Sequence, residues 1–480
     1  MQSMNRLAIT CLMTEMALVA FSACARSRPV FEPSYAEPPV QISRQVAAPT
    51  VAPPLLPPDA NAAESAPALP AAETLLALVE AANALTLEEI EKLALANNPT
   101  LLQAQAHING HKGTRTQAGL RPNPRIGYQH NEAGNNGRGG QQGMYVAQEF
   151  IRGGKRELEQ RAATHAVQAA EYRKSAQQYR VKTAVRTAFY DVLIAQQTIA
   201  LAEELLRMSQ QAIETTEALL RGGQVTRVDL LQARVEKYHA EIASERARNR
   251  YLADWERLVS VVGVPDLVPT KLVGSLVIED NQLDRERILQ NILLTSPELT
   301  AAHYQVDRAR IVVERMRVEP VPDVDVQTGV QFDYSTNNTI ANVQIEMPWA
   351  VRNYNQGNVM KAQAAFTSAQ REVERVELDL RRRFAVTFER YANATSQVDR
   401  YQASILPAAK ESLKLLSDAY RTEGRIDFVR LLFAQKTNFQ AQMDYLGALR
   451  DWWSARLQID GLLLTDGLAS PVSGVKGQTR

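Results

Sequence analysis

The chain has 480 residues and an almost even charge balance, 54 Lys and Arg against 53 Asp and Glu, for a formal net charge of +1 at pH 7. A partner rich in phosphate needs a basic excess, so the composition speaks against nucleic acid. Beyond about the first thirty residues there is no apolar run long enough for a transmembrane helix. Aromatics are only 6 % while Ala, Leu, Gln, Glu and Arg are abundant, a mixture that favours long helices.

Residues 1–24 read as an export signal. Arg6 precedes a mostly apolar run from Leu7 to Phe21, interrupted by Glu15. Phe21-Ser22-Ala23-Cys24 then resembles a lipobox, which makes Cys24 a candidate for lipidation; plain cleavage that leaves a free thiol is the alternative. Two acyl chains on Cys24 would hold the amino terminus stably in a membrane. Cys11 would leave with the signal, so the mature chain could form no internal disulfide. Residues 25–84 are rich in Pro and Ala, with Pro38-Pro39, Pro53-Pro54 and Pro57-Pro58, and read as an extended tether.

The rest of the chain repeats itself. Asn98-Pro99, Pro122 and Pro124 recur as Ser296-Pro297, Pro320 and Pro322 at an offset of 198 residues. Ile90, Leu101 and Ala104 recur as Ile288, Leu299 and Ala302. Gly223-Gln-Val225 through Leu230-Leu231-Gln-Ala233 recurs as Gly424-Arg-Ile426 through Leu431-Leu432-Phe-Ala434 at a drifted offset of 201. Two units follow, residues 85–282 and 283–466, with a tail over 467–480.

Each unit opens with a helix. Thr86 and Glu89 have capping-box spacing, and the helix is expected to run past the Asn-Pro or Ser-Pro step to the Pro-x-Pro pair, where strand takes over. In the second unit a hairpin near 323–347 alternates cleanly. Val324, Val326, Thr328, Val330, Phe332 and Tyr334 share one face, and Asp325, Gln327, Gly329, Gln331 and Asp333 the other. After a turn over Ser335–Asn338, Ala341, Val343, Ile345 and Met347 alternate with Asn342, Gln344 and Glu346, and Pro348 ends the ladder. The first unit's hairpin, near 125–151, shows no clear apolar face on its return strand.

Long helices follow over 155–262 and 357–464. From Lys155 to Arg221 no Pro or Gly intervenes until Gly222-Gly223, about 100 Å of helix. Its seam, Ala195, Ile199, Ala202, Leu206, Ser209, Ile213, Thr216 and Leu220, has coiled-coil spacing. The second unit repeats the rhythm from Leu380, Phe384, Thr387, Tyr391, Ala394, Val398 and Tyr401 through Ile405, Ala408, Ser412, Leu415 and Ala419, with a bend expected at Pro407.

Strands of about ten residues can cross a bilayer at a tilt, but four per chain cannot close a barrel. Open edges in lipid cost several kcal/mol for each unpaired backbone group. Subunits must therefore pair their edges, with the apolar faces on lipid and the polar faces on water. Phe332, Tyr334, Trp349 and Phe150 stand where membrane interfaces favour aromatics.

Leu85-Thr-Leu-Glu-Glu-Ile with Asn98-Pro99, Pro348 with Arg352-Asn353 and Gln356-Gly357-Asn358, Ile405-Leu-Pro-Ala-Ala, and the tip segments around Gly223 and Gly424 together resemble the TolC-like outer membrane factor family, from Leu85 to Asp466. Within it, they resemble the CzcC-like heavy-metal branch. The resemblance implies a mainly helical chain with a membrane β-barrel part, assembled as a homotrimer with a twelve-stranded barrel on a twelve-helix periplasmic tunnel. It implies passive efflux across the outer membrane, supplied by a periplasmic adaptor and an inner-membrane pump of the resistance-nodulation-division type. The tips would dock the adaptor through Arg221, Gly223, Thr226, Arg227, Arg421, Glu423, Gly424, Arg425, Asp427 and Arg430, with charges among them holding the entrance shut. Asp325, Gln327, Asp333, Gln344 and Glu346 would line the barrel lumen, where carboxylates favour cations.

No phosphate loop, nucleophile elbow or CxxC occurs, so neither an enzyme nor a cofactor is expected. His107 and His111 lie four apart with no carboxylate or cysteine at ligand spacing, and no metal site is expected there. A duct for drugs or secreted proteins stays open as an alternative cargo, and a periplasmic coiled-coil lipoprotein without a pore as an alternative class.

Overall fold

The computed structural model describes residues 84–471 apart from 133, 135–138, 279–282 and 424–427, and around the second helix tip it describes no side chains for 420–429. The expected signal with Cys24, the tether up to residue 83 and the tail beyond 471 lie outside the described residues.

Helix α1 (Leu87–Asn97) starts at the expected capping box, where the Thr86 hydroxyl accepts from the Glu89 amide and the Glu89 carboxylate accepts from the Thr86 amide at 2.9 Å. It does not run on to the Pro-x-Pro pair. A residue before proline is pushed out of the helical region, and Asn98, at ψ 120°, ends α1 and caps a second helix, α2 (Pro99–Gly119), accepting from the Thr100 amide at 3.0 Å. The second unit does the same. Ser296, at ψ 118°, separates α5 (Arg285–Thr295) from α6 (Pro297–Arg317), and its hydroxyl accepts from the Leu299 amide at 3.4 Å. The single opening helix expected from the sequence is therefore two in each unit.

Strands β1 (Arg125–Asn131), β2 (Gln141–Phe150), β3 (Val324–Asp333) and β4 (Asn338–Glu346) begin just after the Pro-x-Pro pairs or return from them. They form one antiparallel sheet in the order β1-β2-β3-β4, so the hairpin of one unit pairs with the hairpin of the other through β2 and β3. Among the described residues the outer edges of β1 and β4 are unpaired.

After β2, helix α3 (Lys155–Arg221) runs 67 residues and α4 (Arg227–Val262) returns along it. Gly223, at φ +69°, closes the tip by adopting the left-handed conformation that glycine enters without penalty. On α3 the expected seam is real, since Ala195, Ala202, Ser209, Ile213 and Thr216 are buried and Ile199, Leu206 and Leu220 half-buried. After β4 come α7 (Gln356–Arg400), α8 (Leu406–Glu423) and α9 (Phe428–Asp460). Between α7 and α8, Tyr401–Ile405 form a π-turn immediately before Pro407. Proline has no amide hydrogen to give to the turn before it.

That turn corrects the expected seam. Leu380 through Val398 are buried as expected, but Ile405 at the end of the π-turn and Ala408, Ser412 and Leu415 beyond it are exposed, and Leu406, Ala409, Leu413 and Leu416 are partly buried instead; of the expected positions beyond the turn, Ala419 is partly buried. A π-turn holds one residue more than an α-turn, so the inward face moves on by one position.

Two apolar cores form where the short helices meet the long ones. Ile90, Leu101, Val181, Phe189, Trp255, Leu258 and Leu272 build the first, and Ile292, Leu380, Phe384, Tyr391, Trp452 and Ile459 the second. Charge is buried between them. Asp254 on α4, with a side chain at 0 % exposure, is 2.7 Å from Arg250, 3.0 Å from Arg257 and 3.3 Å from Arg450 of α9. Arg450 is also 3.1 Å from Asp191 of α3, whose carboxyl is pushed above its ordinary range by burial and partly drawn back by Arg450. No helix among the described residues is long and apolar enough to cross a membrane.

Candidate functional site

The pairing registers assign every strand residue to a face. Ile126 and Tyr128 of β1 stand opposite Val146 and Met144 of β2, which stand opposite Thr328 and Val330 of β3; Val343 and Ala341 of β4 complete the rows. Phe150, Val324, Val326 and Ile345 lie on the same side by alternation. This resolves the strand whose pattern was blurred. Met144, Val146 and Phe150 share the apolar side of β2 with two glutamines: Gln148 donates to the Pro122 carbonyl at 3.0 Å, and Gln142 accepts from the Tyr128 hydroxyl at 2.6 Å. In the isolated subunit much of this apolar face is open, with Val343 at 71 % and Ile126 at 71 % exposure.

The opposite face is polar and carries all five residues read as lumenal. One row runs Glu149, Asp325, Glu346, and the next Arg125, Ala147, Gln327, Gln344. Carboxylates directly opposite one another repel. Here Arg125 makes an ion pair with the middle one, Asp325, leaving more acid than base at this level. Gln327 donates to Gln129 at 3.1 Å, and Gln344 donates to Glu346. Asp333 is occupied by its own turn, accepting from the Ser335 amide at 2.8 Å, the Ser335 hydroxyl at 2.6 Å and the Thr336 hydroxyl at 3.0 Å. Arg125, Tyr145 and Glu149 belong to this face and were missed from the sequence. The first hairpin mixes Gly127, Gly143 and Gln148 into its alternation, and only pairing with the regular β3 reveals the sides.

At the base of the sheet the Asp323 carboxylate accepts from the Arg152 amide and the Lys155 ammonium, each at 2.8 Å, tying the start of α3 to the entry of β3. Lys155 is buried there.

At the far end of the helices lie the tips. In the first tip Thr226 caps α4, its amide and hydroxyl each donating to the Asp229 carboxylate at 2.7 Å, and these hydrogen bonds hold the Asp229 carboxyl below its usual range. Arg221 and Arg227 are exposed beside it. In the second tip Gly424, Arg425 and Asp427 lie outside the described residues, as do the side chains of Arg421 and Glu423. Arg430 borders an apolar groove with Leu416, Phe433, Ala434 and Thr437. A further feature escaped the sequence reading: Val228, Leu231, Val235, Tyr238 and Ile242 make an exposed stripe along α4 at steps of three and four. The heptad count that found the α3 seam would have found it too.

Among the described residues no three metal-ligating side chains converge. His111 is pushed toward its neutral form by burial and by Arg308, Arg173 and His107. Its charged neighbours are arginines, which would repel a cation.

The sequence pattern of the outer membrane efflux proteins matches this chain over residues 91–264 and 288–463. The chain belongs to the outer membrane efflux protein family. It is 26 % identical, over 80 % of its length and 91 % of the relative's, to the cobalt-zinc-cadmium resistance protein CzcC of Cupriavidus metallidurans. It is 22 % identical, over 56 % of its length and 58 % of the relative's, to the proteases secretion protein PrtF of Dickeya chrysanthemi. Among solved structures, the CmeC outer membrane channel of Campylobacter jejuni superposes with a TM-score of 0.67 at 14 % identity, covering 81 % of this chain and 88 % of that one. As a member of the family the chain is an outer membrane protein with a large periplasmic helical part, and its relatives are channels rather than enzymes.

Proposed function

We propose that three copies of this chain form a passive export channel for heavy-metal cations, fed by a periplasmic adaptor and an inner-membrane pump of the resistance-nodulation-division type. The observation that carries the reading is the sheet with two edges unpaired among the described residues and one mainly apolar face. A four-stranded sheet cannot sit in lipid with open edges. Pairing β1 of one subunit with β4 of the next gives twelve strands in a trimer and leaves no edge unpaired. The ten-residue strands β2 and β3 rise about 34 Å, and at a tilt of about 40° they cover roughly the 25 Å apolar band of such barrels; β1, with seven residues, covers less. The α4 stripe supports the same assembly, because neighbouring subunits would cover it and extend the wall into a twelve-helix tunnel.

The cargo rests on two supports, the acidic row of Glu149, Asp325 and Glu346 and the relative named for cobalt, zinc and cadmium resistance. In this reading the tips around Gly223 and Gly424 receive the adaptor, charges such as Glu423, Arg425, Asp427 and Arg430 hold the entrance shut, and Cys24 carries a lipid anchor. The test is a purified outer membrane fraction. The reading expects a heat-resistant trimer that conducts in planar bilayers with cation preference, and a deletion strain sensitive to zinc, cobalt or cadmium. A monomer without conductance would overturn the channel; unchanged metal tolerance with lost protein secretion would move the cargo to that of the PrtF-like alternative.

A further inference from the structure

A cavity of about 730 Å³ lies between α2, α3 and α6. Leu120, which ends α2, and Ile151, which follows β2, stand in its wall, so it sits at the foot of the sheet. Four cations line it, Lys155, Arg156, Arg308 and Arg315, against one acid, Glu159. Lys155 is committed to Asp323, and one end of the Arg315 guanidinium to Glu319. The Arg315 Nε is buried and donates to nothing, and Arg156 and Arg308 have no ion pair among the described residues. Half-buried His111 lines the same cavity from α2, where burial, Arg308 and Arg173 push it toward its neutral form. The α3 wall is Ala162, Ala163 and Ala166, whose methyl groups offer the cations nothing. A buried donor without an acceptor is costly, and so is a cluster of like charges without a counter-charge.

We propose that this cavity binds a phosphate group, held by Arg156 of α3 and by Arg308 and Arg315 of α6. A guanidinium presents paired donors that match phosphate oxygens, and a phosphate has oxygens enough for three such partners where a carboxylate has two. The orphan Nε of Arg315 gains an acceptor, and the repulsion within the cluster is offset. The bound group would also bridge the two repeats just below the sheet, since α3 belongs to the first unit and α6 to the second. Two sources carry this chemistry, inorganic phosphate and the headgroup of a phospholipid. The lipid source rests on the reading of the sheet as membrane-embedded, which sets the cavity at the level where the apolar band ends. The inorganic source does not. Arg156 and Arg308 are the residues that test the site, because replacing them breaks no ion pair.

The experiment is thermal unfolding of the full chain, stripped of lipid in detergent, because a ligand that binds the folded state raises the midpoint. Sodium phosphate is compared with sodium chloride of equal ionic strength, and phosphatidylglycerol with diacylglycerol, which has the same tails and no phosphate. The native chain and the double variant Arg156→Gln/Arg308→Gln are titrated with each probe. The native midpoint is expected to rise with at least one phosphate probe and with neither control, and the double variant to bind that probe about tenfold or more weakly. A rise with sodium phosphate assigns the free ion; a rise with phosphatidylglycerol alone assigns the lipid headgroup. Glu159→Gln, which removes the one acid of the cavity, is expected to tighten binding, and it decides the matter if the double variant does not fold. No rise in the native chain, an equal rise in the double variant, or binding unchanged or weakened in Glu159→Gln overturns the proposal. A diacylglycerol response equal to that of phosphatidylglycerol, with no response to sodium phosphate, also overturns it, since the cavity would then take acyl chains. Binding is read on the solubilised chain, so a failure of the channel reading would show in conductance and leave these outcomes separate.

Discussion

In the proposed barrel the two faces of β4 make opposite demands on a charge. Val343 lies near the middle of the strand, opposite Thr328, and is open on the apolar side of the sheet; Gln344, its neighbour, is on the polar side opposite Gln327. An arginine facing lipid near the bilayer midplane costs about 2–4 kcal/mol, and less toward the interfaces. Three copies in a trimer raise that to roughly 6–12 kcal/mol, comparable to the whole stability of many domains, about 5–15 kcal/mol. Gln344→Arg meets water, with Glu346 within reach, and a surface change of that kind is worth only about 0.5 kcal/mol in either direction. The assay is the temperature at which the trimer band is lost on gels, together with the fraction of chain recovered in the outer membrane. Val343→Arg is expected to abolish or strongly weaken the trimer, and Gln344→Arg to leave it near native. A robust Val343→Arg trimer beside a failing Gln344→Arg would refute the assignment of faces, and with it the argument from free edges to a barrel.

Two further outcomes follow from groups far from the membrane. Asp254→Asn removes the one carboxylate on which Arg250, Arg257 and Arg450 converge. Breaking a buried ion pair from one side costs about 3–5 kcal/mol, and the low end applies because Arg250 and Arg257 reach water; the midpoint of thermal unfolding followed by circular dichroism should fall, and an unchanged midpoint counts against the network. At the first tip, hydrogen bonds from Thr226 lower the folded-state pKa of Asp229, so the cap is complete above the unfolded value of about 3.9 and is lost as pH falls through the folded value. Hydrogen-exchange protection in the first turn of α4, corrected for the intrinsic rate at each pH, should fall on acidification, and at a higher pH in Thr226→Ala. A profile flat across the carboxylate range would contradict the capping box.

Much of the architecture could be read from short patterns. The capping box at Thr86, the Pro-x-Pro steps before β1 and β3, the alternation of β3 and β4 and the α3 seam each lie within one stretch of chain. Where local rules competed, the reading failed. Proline's effect on its predecessor splits each opening helix at Asn98 and Ser296, and the π-turn before Pro407 displaces the α8 seam by one residue. Both signals were present in the sequence, but their consequences depend on backbone geometry that a periodicity count does not contain.

Chain-local chemistry therefore settled which segments are strand and which are long helix, and that the unit occurs twice, because dihedral preferences and side-chain periods act within a few residues. The apolar side of β2, the joining of the two hairpins through β2 and β3 and the pairing of Asp325 with Arg125 followed from packing. These link residues up to 200 positions apart, as Arg125 and Asp325 are. Such contacts are chosen by which surfaces fit once the elements exist, and no local pattern in either segment encodes its partner.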